Sequence, residues 1–149
     1  MNETILIVDY GSQYTQLIAR KIRELKVYCV VYPYNQINKK LINEINILGF
    51  ILSGGPNSVL KKNSPKLSKL ILNADIPILG ICYGLQLICY ELSGKINQSI
   101  SREYGHSLIS INKKTILLKG LKLNKNQVWM SHGDHIKNPP KNFLITSKS

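Results

Sequence analysis

The chain reads as an α/β protein with a doubly wound, mostly parallel sheet in flavodoxin-like layers, and an added antiparallel strand region after residue 95. Three observations predict this. Four short apolar runs (residues 4–8, 27–32, 49–52 and 77–81), the first of them β-branched, alternate with segments whose apolar side chains recur at helical spacing. The first, third and fourth of these runs end in turns built of Gly, Ser, Asp or Pro, where an open α/β sheet builds its sites. Beyond Gly94 the period changes to short alternating segments (residues 107–111, 115–118 and 127–130) separated by turns.

Thr4-Ile5-Leu6-Ile7-Val8 is a buried parallel strand, closed by the turn Asp9–Ser12. Tyr14, Leu17, Ile18, Ile22 and Leu25 then mark the apolar face of a helix, with Arg20, Lys21, Arg23 and Glu24 opposite. A second strand covers residues 27–32, and Leu41, Ile42, Ile45 and Leu48 mark a second helix. Gly49-Phe50-Ile51-Leu52 is the third strand, closed by Ser53-Gly54-Gly55-Pro56. Leu67, Leu70 and Ile71 mark a third helix, and residues 77–81 the fourth strand. The fourth helix runs through Leu85, Leu87, Ile88 and Leu92 to a C-cap at Gly94. Leu144-Ile145-Thr146 reads as a last strand with an unpaired edge.

With 149 residues the chain is expected to be one domain, residues 1–149. No apolar run approaches the ~20 residues of a membrane span, and residues 1–8 lack the charge and length of a signal peptide. Three cysteines without metal-ligand spacing imply a reducing, cytoplasmic setting and no metal; Cys29 and Cys89 read as core. The net charge of +12 does not read as nucleic-acid recognition, because only Arg20, Arg23 and Arg102 are arginine and the lysines are scattered. Ile, Asn and Lys are enriched together, as compositional drift of the coding DNA would produce.

The most informative segment is Gly80-Ile81-Cys82-Tyr83-Gly84-Leu85-Gln86. A strand enters it and a helix leaves it, which is the setting of a nucleophile elbow. The glycines permit a sharp turn, so the Cys82 side chain projects from the carboxyl edge of the sheet, and the following helix dipole favours its thiolate. Free cysteine commonly packs as a small hydrophobe. Glycine on both sides and the change of period favour the nucleophile. A thiolate suits acyl transfer, which needs an oxyanion hole of backbone N–H donors. The Tyr83 amide, opening the helix, is one candidate, and the Gly54-Gly55 turn can bring a second close, although Gly-Gly-Pro taken alone is only a turn signal.

Cys82 in Gly-Ile-Cys-Tyr-Gly-Leu-Gln, with Ser-Gly-Gly-Pro upstream, resembles the class I (triad) glutamine amidotransferases. The segments Asp9-Tyr10-Gly11-Ser12-Gln13-Tyr14, Arg102-Glu103-Tyr104-Gly105 and Trp129-Met130-Ser131-His132-Gly133-Asp134 resemble, within that family, the amidotransferase domains of GMP synthases. The resemblance implies glutamine hydrolysis through a γ-glutamyl thioester on Cys82. It implies backbone donation to the oxyanion from Gly55 and Tyr83. Gln86 and a loop of Ser131, His132, Gly133 and Asp134 would hold the amino-acid end of glutamine. The partner implied is an ATP-dependent synthetase domain or subunit that uses the ammonia to convert XMP to GMP. ATP and Mg2+ would belong to that partner, and no cofactor to residues 1–149. No membrane and no specific nucleic acid are implied.

In the family the base and its orienting acid come from a His-Pro-Glu segment, and no His-x-Glu occurs in these 149 residues. The expectation is therefore an amidotransferase domain incomplete at its C-terminus, lacking the synthetase domain and inactive alone. His106 is expected in an exposed turn, His132 in the substrate loop and His135 on the surface. Two alternatives stand beside this reading: a non-catalytic or decayed amidotransferase-fold protein working through a partner synthetase, and the glutaminase component of another amidotransferase.

Overall fold

This computed structural model describes residues 2–113, 115–123 and 125–149, with the backbone alone of residues 99–104 and 132. The chain divides into two compact units, Met1–Glu91 and Leu92–Ser149.

In the first unit, four parallel strands form one sheet: β1 (Thr4–Asp9), β2 (Cys29–Pro33), β3 (Ile47–Leu52) and β4 (Ile78–Gly80). Their spatial order is β2-β1-β3-β4, so the winding reverses between β1 and β3. Such a switch point leaves a crevice at the carboxyl ends of the strands. Register brings those ends level, since Val8 pairs with Leu52 and Leu52 with Gly80. Leu6, Ile7, Val8, Phe50 and Leu52 are essentially inaccessible to solvent, as expected of strands covered on both faces.

Helix α1 (Thr15–Glu24) turns Thr15 and Ala19 inward, with Ile18 and Ile22 packed on the cluster Ile7, Ala19 and Cys29. Tyr14, Leu17 and Leu25 are exposed, so the buried stripe lies one position round from the expected one. The small Thr15 and Ala19 side chains let the helix sit close to the sheet. On its outer face Glu24 pairs with Lys21 at 2.8 Å and Arg20 at 3.8 Å. Helix α2 (Lys39–Glu44) is capped by Asn38, whose side chain accepts from the Leu41 N–H at 3.0 Å. It ends before Ile45. Leu48, expected on this helix, stands instead on the exposed side of β3, next to buried Ile47. A run such as Ile45-Asn46-Ile47-Leu48 satisfies both periods, and pairing with β1 decides for strand. Helix α3 (Lys69–Leu72) is a single turn capped by Ser68. Helix α4 (Tyr83–Glu91) stops short of Gly94, and the left-handed residue after it is Ser93, with φ 65°.

The second unit is an antiparallel sheet in the order β6-β5-β7, from β5 (Lys95–Ile111), β6 (Asn126–Asn138) and β7 (Ser147–Lys148). Residues 115–118 do not form the expected strand, because Ile116–Leu118 is a 3-10 turn. Residues 144–146 lie just ahead of the last strand. It is Ser147 and Lys148 that pair with Ile111 and Ser110.

An aromatic cluster sits beneath the carboxyl edge of the first sheet. Tyr10 stacks on Tyr34, with ring centroids 5.6 Å apart, and tilts against Tyr83 at the same distance. The buried Tyr10 hydroxyl meets no hydrogen-bond partner among the described residues, whereas that of Tyr83 donates to the Pro65 carbonyl at 2.6 Å. Burial, then the neighbouring Tyr83 and Glu91, push the Tyr10 phenol well above its ordinary value. Burial likewise pushes Tyr83 up to about 12. Both phenols stay neutral in the folded protein at pH values where the unfolded chain already ionises. Stability is therefore complete below about pH 10 and falls as pH rises toward about 12. Denaturant titrations across that window should show the loss. Tyr10→Phe, by deleting an unpartnered buried hydroxyl, should raise stability by about 1 kcal/mol and shrink it.

Candidate active site

Three turns meet at the carboxyl edge of the first sheet, and each is built by local hydrogen bonds. After β1, one carboxylate oxygen of Asp9 accepts from the Gly11 N–H at 2.9 Å and from the Thr15 hydroxyl at 2.8 Å. This ties the turn to the first residue of α1. Ser12 then accepts the Tyr14 N–H on its hydroxyl at 3.1 Å.

After β3, the Ser53 N–H donates to the Val8 carbonyl at 3.0 Å, prolonging the strand pairing by one residue. Gly54 and Gly55 follow; only glycine fits at Gly55, while a side chain at Gly54 would rest in ordinary contact with its neighbours. A Cβ on Gly55 would stand 2.6 Å from the Tyr10 carbonyl oxygen, and one on Gly54 would stand 3.5 Å from both the Cys82 Cβ and the Ser12 Oγ. The backbone of this turn is thus pressed between the β1 turn and the cysteine.

After β4 comes the elbow. The Ile81 N–H donates to the Leu52 carbonyl at 3.0 Å, and the Gly84 N–H reaches the carbonyls of Ser53 at 3.1 Å and Ile81 at 3.0 Å. Cys82 between them has φ 50°, the left-handed conformation that a residue with a Cβ rarely adopts. The bracketing glycines make this reversal possible. A Cβ on Gly80 would come within 2.6 Å of the Leu85 backbone, and one on Gly84 would collide with the Leu52 carbonyl oxygen. The helix can therefore start directly against the sheet, and the half-buried Cys82 stands at its head.

The Tyr83 N–H lies in the first turn of α4, where no intrahelical carbonyl lies four residues back. Tyr83 itself is buried, as is Gln86, whose N–H donates to the Cys82 carbonyl at 3.0 Å. Cys82, Gly55, Tyr83 and Gln86 thus belong to the same edge of the first unit. Cys29 and Cys89 are buried in that unit, and burial pushes the Cys89 thiol up.

Ser131, Gly133 and Asp134 lie within strand β6 of the second unit, where a loop was expected. Pairing with β5 carries this polar stretch: Tyr104 stands opposite Ser131, and Gln98 opposite Asp134. The register slips between Gln98 and Glu103, across from Gly133. Asp134 is buried and Ser131 exposed, as alternation along a strand requires. The side chain of His132 lies outside the described residues, as do those of Arg102, Glu103 and Tyr104. His106, expected in a turn, is on β5, edge-on to Trp129 at 4.5 Å and 2.5 Å from the Gln127 amide nitrogen. His135 is exposed. Among the described residues no three His, Cys, Asp or Glu side chains come together as a metal site.

Sequence reasoning assigned no role to Asp9, Ser12 or Ser53. The available signal was a small polar residue immediately after each of two buried strands.

The left-handed turn supplies a direct test. Glycine adopts φ 50° without a Cβ penalty of ~1–2 kcal/mol. Cys82→Gly should therefore be more stable than Cys82→Ala by about 1 kcal/mol in urea denaturation, the reverse of the order in a helix. Alanine equal to or above glycine would mean that Cys82 does not hold this conformation in solution.

A family model described as glutamine amidotransferase class-I matches residues 6–149. A glutamine-hydrolysing GMP synthase of Clostridium kluyveri is 46% identical over 147 residues, which are 99% of this chain and 28% of that protein. That of Caldanaerobacter subterraneus is 48% identical over 147 residues, with the same coverage. The chain spans about 28% of the length of these curated relatives. Among solved structures, a Thermoplasma acidophilum protein assigned as one subunit of a GMP synthase matches all of this chain and 74% of its own, with a TM-score of 0.80 and 26% identity. A glutamine amidotransferase of Thermotoga maritima has a TM-score of 0.70 over 93% of this chain and 64% of its own, and at 17% identity it shares the fold. The elbow at Cys82, the reversal point of the sheet and the match over residues 6–149 agree: this chain belongs to the class-I glutamine amidotransferase family.

Proposed function

We propose that the chain is the glutamine-hydrolysing part of a GMP synthase. The observation that carries this is the left-handed Cys82, held at the head of α4 beside the Gly54-Gly55 turn. In this reading Cys82 Sγ attacks the side-chain amide carbon of glutamine. The oxygen becomes an oxyanion held by the N–H groups of Gly55 and Tyr83, the C–N bond breaks, and ammonia leaves with an added proton. Water then cleaves the γ-glutamyl thioester, giving glutamate and the free thiol. Gln86 and the segment Ser131, His132, Gly133 and Asp134 hold the amino-acid end of the substrate.

Proton transfer needs a base within hydrogen-bond reach of the thiol, oriented by an acid. All three histidines fall in the second unit, and no His-x-Glu pair occurs among residues 1–149. We assign base and acid to a His-Pro-Glu segment outside these residues. The 149 residues form an amidotransferase domain that works with an ATP-dependent synthetase domain or subunit, which takes the ammonia and aminates XMP. ATP and Mg2+ belong to that partner's chemistry. The cysteine usage supports a cytoplasmic setting, and among the described residues no helix is long and apolar enough to cross a membrane.

In the polypeptide as its own cell makes it, with any synthetase part that co-purifies, Cys82→Ala should abolish glutamine hydrolysis. It should leave amination from added ammonia intact. A glutamine-like electrophile should label Cys82 well before Cys29 or Cys89, as read by peptide mass spectrometry. Glutaminase activity surviving in Cys82→Ala, or equal labelling of the three thiols, would remove the proposal.

A further inference from the structure

We infer that the Ser53 hydroxyl is a positioning group that aims the Gly55 N–H. Ser53 is completely buried, and its Oγ has three polar neighbours. The Tyr10 N–H donates to it at 2.9 Å, the Gly54 carbonyl oxygen lies 2.8 Å away, and the nearer Asp9 carboxylate oxygen 3.5 Å away. A hydroxyl has one proton to give. With one lone pair taken by Tyr10, the short contact to Gly54 is the stronger bond, and Asp9 lies at the limit of hydrogen-bond range.

The consequence follows from peptide geometry. The Gly54 carbonyl and the Gly55 N–H belong to one planar trans unit and point in opposite directions. Holding the carbonyl therefore fixes the heading of the N–H. The turn has little else to hold it, because Gly54-Gly55 carries no side chains and glycine admits many backbone conformations. Steric pressure from Tyr10 confines the position of Gly55. Rotation of the peptide plane is a separate freedom, and the Ser53 hydroxyl removes it. Donation into the carbonyl also polarises the same amide, strengthening its N–H as a donor.

Ser53 also grips the other side of the site, since its own carbonyl accepts the Gly84 N–H at 3.1 Å, one residue beyond Tyr83. One buried residue thus joins the two turns that carry the oxyanion donors. This inference rests on Gly55 acting as such a donor in the proposed reaction.

The test uses the intact polypeptide with its synthetase part, comparing Ser53→Ala, Ser53→Thr and the control Thr15→Val. Thr15→Val also removes a buried hydroxyl bonded to the Asp9 turn, at the foot of α1. Ser53→Ala should lower kcat for glutamine about tenfold with KM within about twofold, less than the 10²–10³ loss of a whole oxyanion donor. Ser53→Thr, which keeps the hydroxyl, should recover most of kcat, and Thr15→Val should lower melting temperature without that loss. A crystal structure of Ser53→Ala should show the Gly54-Gly55 peptide turned. An unchanged peptide plane, or an unchanged kcat in Ser53→Ala while Cys82→Ala is inactive, would overturn the positioning role alone. Activity retained in Cys82→Ala would overturn the reading beneath it.

Discussion

The site depends on a backbone constraint at one residue, the left-handed conformation of Cys82. An L-residue occupies that region at a cost of ~1–2 kcal/mol, so the surroundings must prevent relaxation. They do so from both sides. Gly80 lies against the backbone of Leu85, Gly84 against the Leu52 carbonyl, and the Gly84 N–H is bonded to Ser53 and Ile81. No side chain separates the start of α4 from the sheet. That close approach turns the strand into a helix across two residues, Ile81 and Cys82, and leaves the thiol at the rim.

The sheet order makes this local arrangement useful. With β1 and β3 adjacent and parallel, and the connections from them leading to opposite sides of the sheet, the turns after both face one crevice, and β4 adds the elbow beside them. Level strand ends matter here. Val8, Leu52 and Gly80 share one row, so the turns that follow begin at the same height. Their backbones can then meet without long connecting segments. The buried core beneath supplies rigidity, the hydroxyl of Ser53 steadies the bare glycine turn after β3, and the carboxylate of Asp9 steadies the turn after β1.

Much of this was legible in the residues. Strands buried on both faces appear as nearly continuous apolar runs, so β1 and β3 announced themselves, and glycines flanking Cys82 marked the elbow. Patterns that depend on a distant partner were less readable. The inward face of α1 uses Thr15 and Ala19, small residues chosen by closeness to the sheet and invisible to a count of large apolar side chains. Residues 115–118 were expected to form an alternating strand, but Thr-Ile-Leu-Leu does not alternate, and residues 116–118 coil into a 3-10 turn. Ser53 was legible only as a turn residue. Its role needs Tyr10, 43 positions earlier, to occupy its lone pair.

The distribution of titratable groups separates presentation of the thiol from its activation. The first unit holds Cys82, the Gly55 and Tyr83 N–H groups proposed as donors, and no histidine. Its nearest buried phenols, Tyr10 and Tyr83, are pushed toward neutrality and cannot act as bases near pH 7. What this unit can supply is geometry: a fixed thiol and fixed N–H groups, which need no reorganisation when charge develops on the oxygen. In the proposed reaction the proton is moved by a base that the first unit does not itself contain as a histidine. A thiol so presented gains from a base only when that base arrives within hydrogen-bond reach.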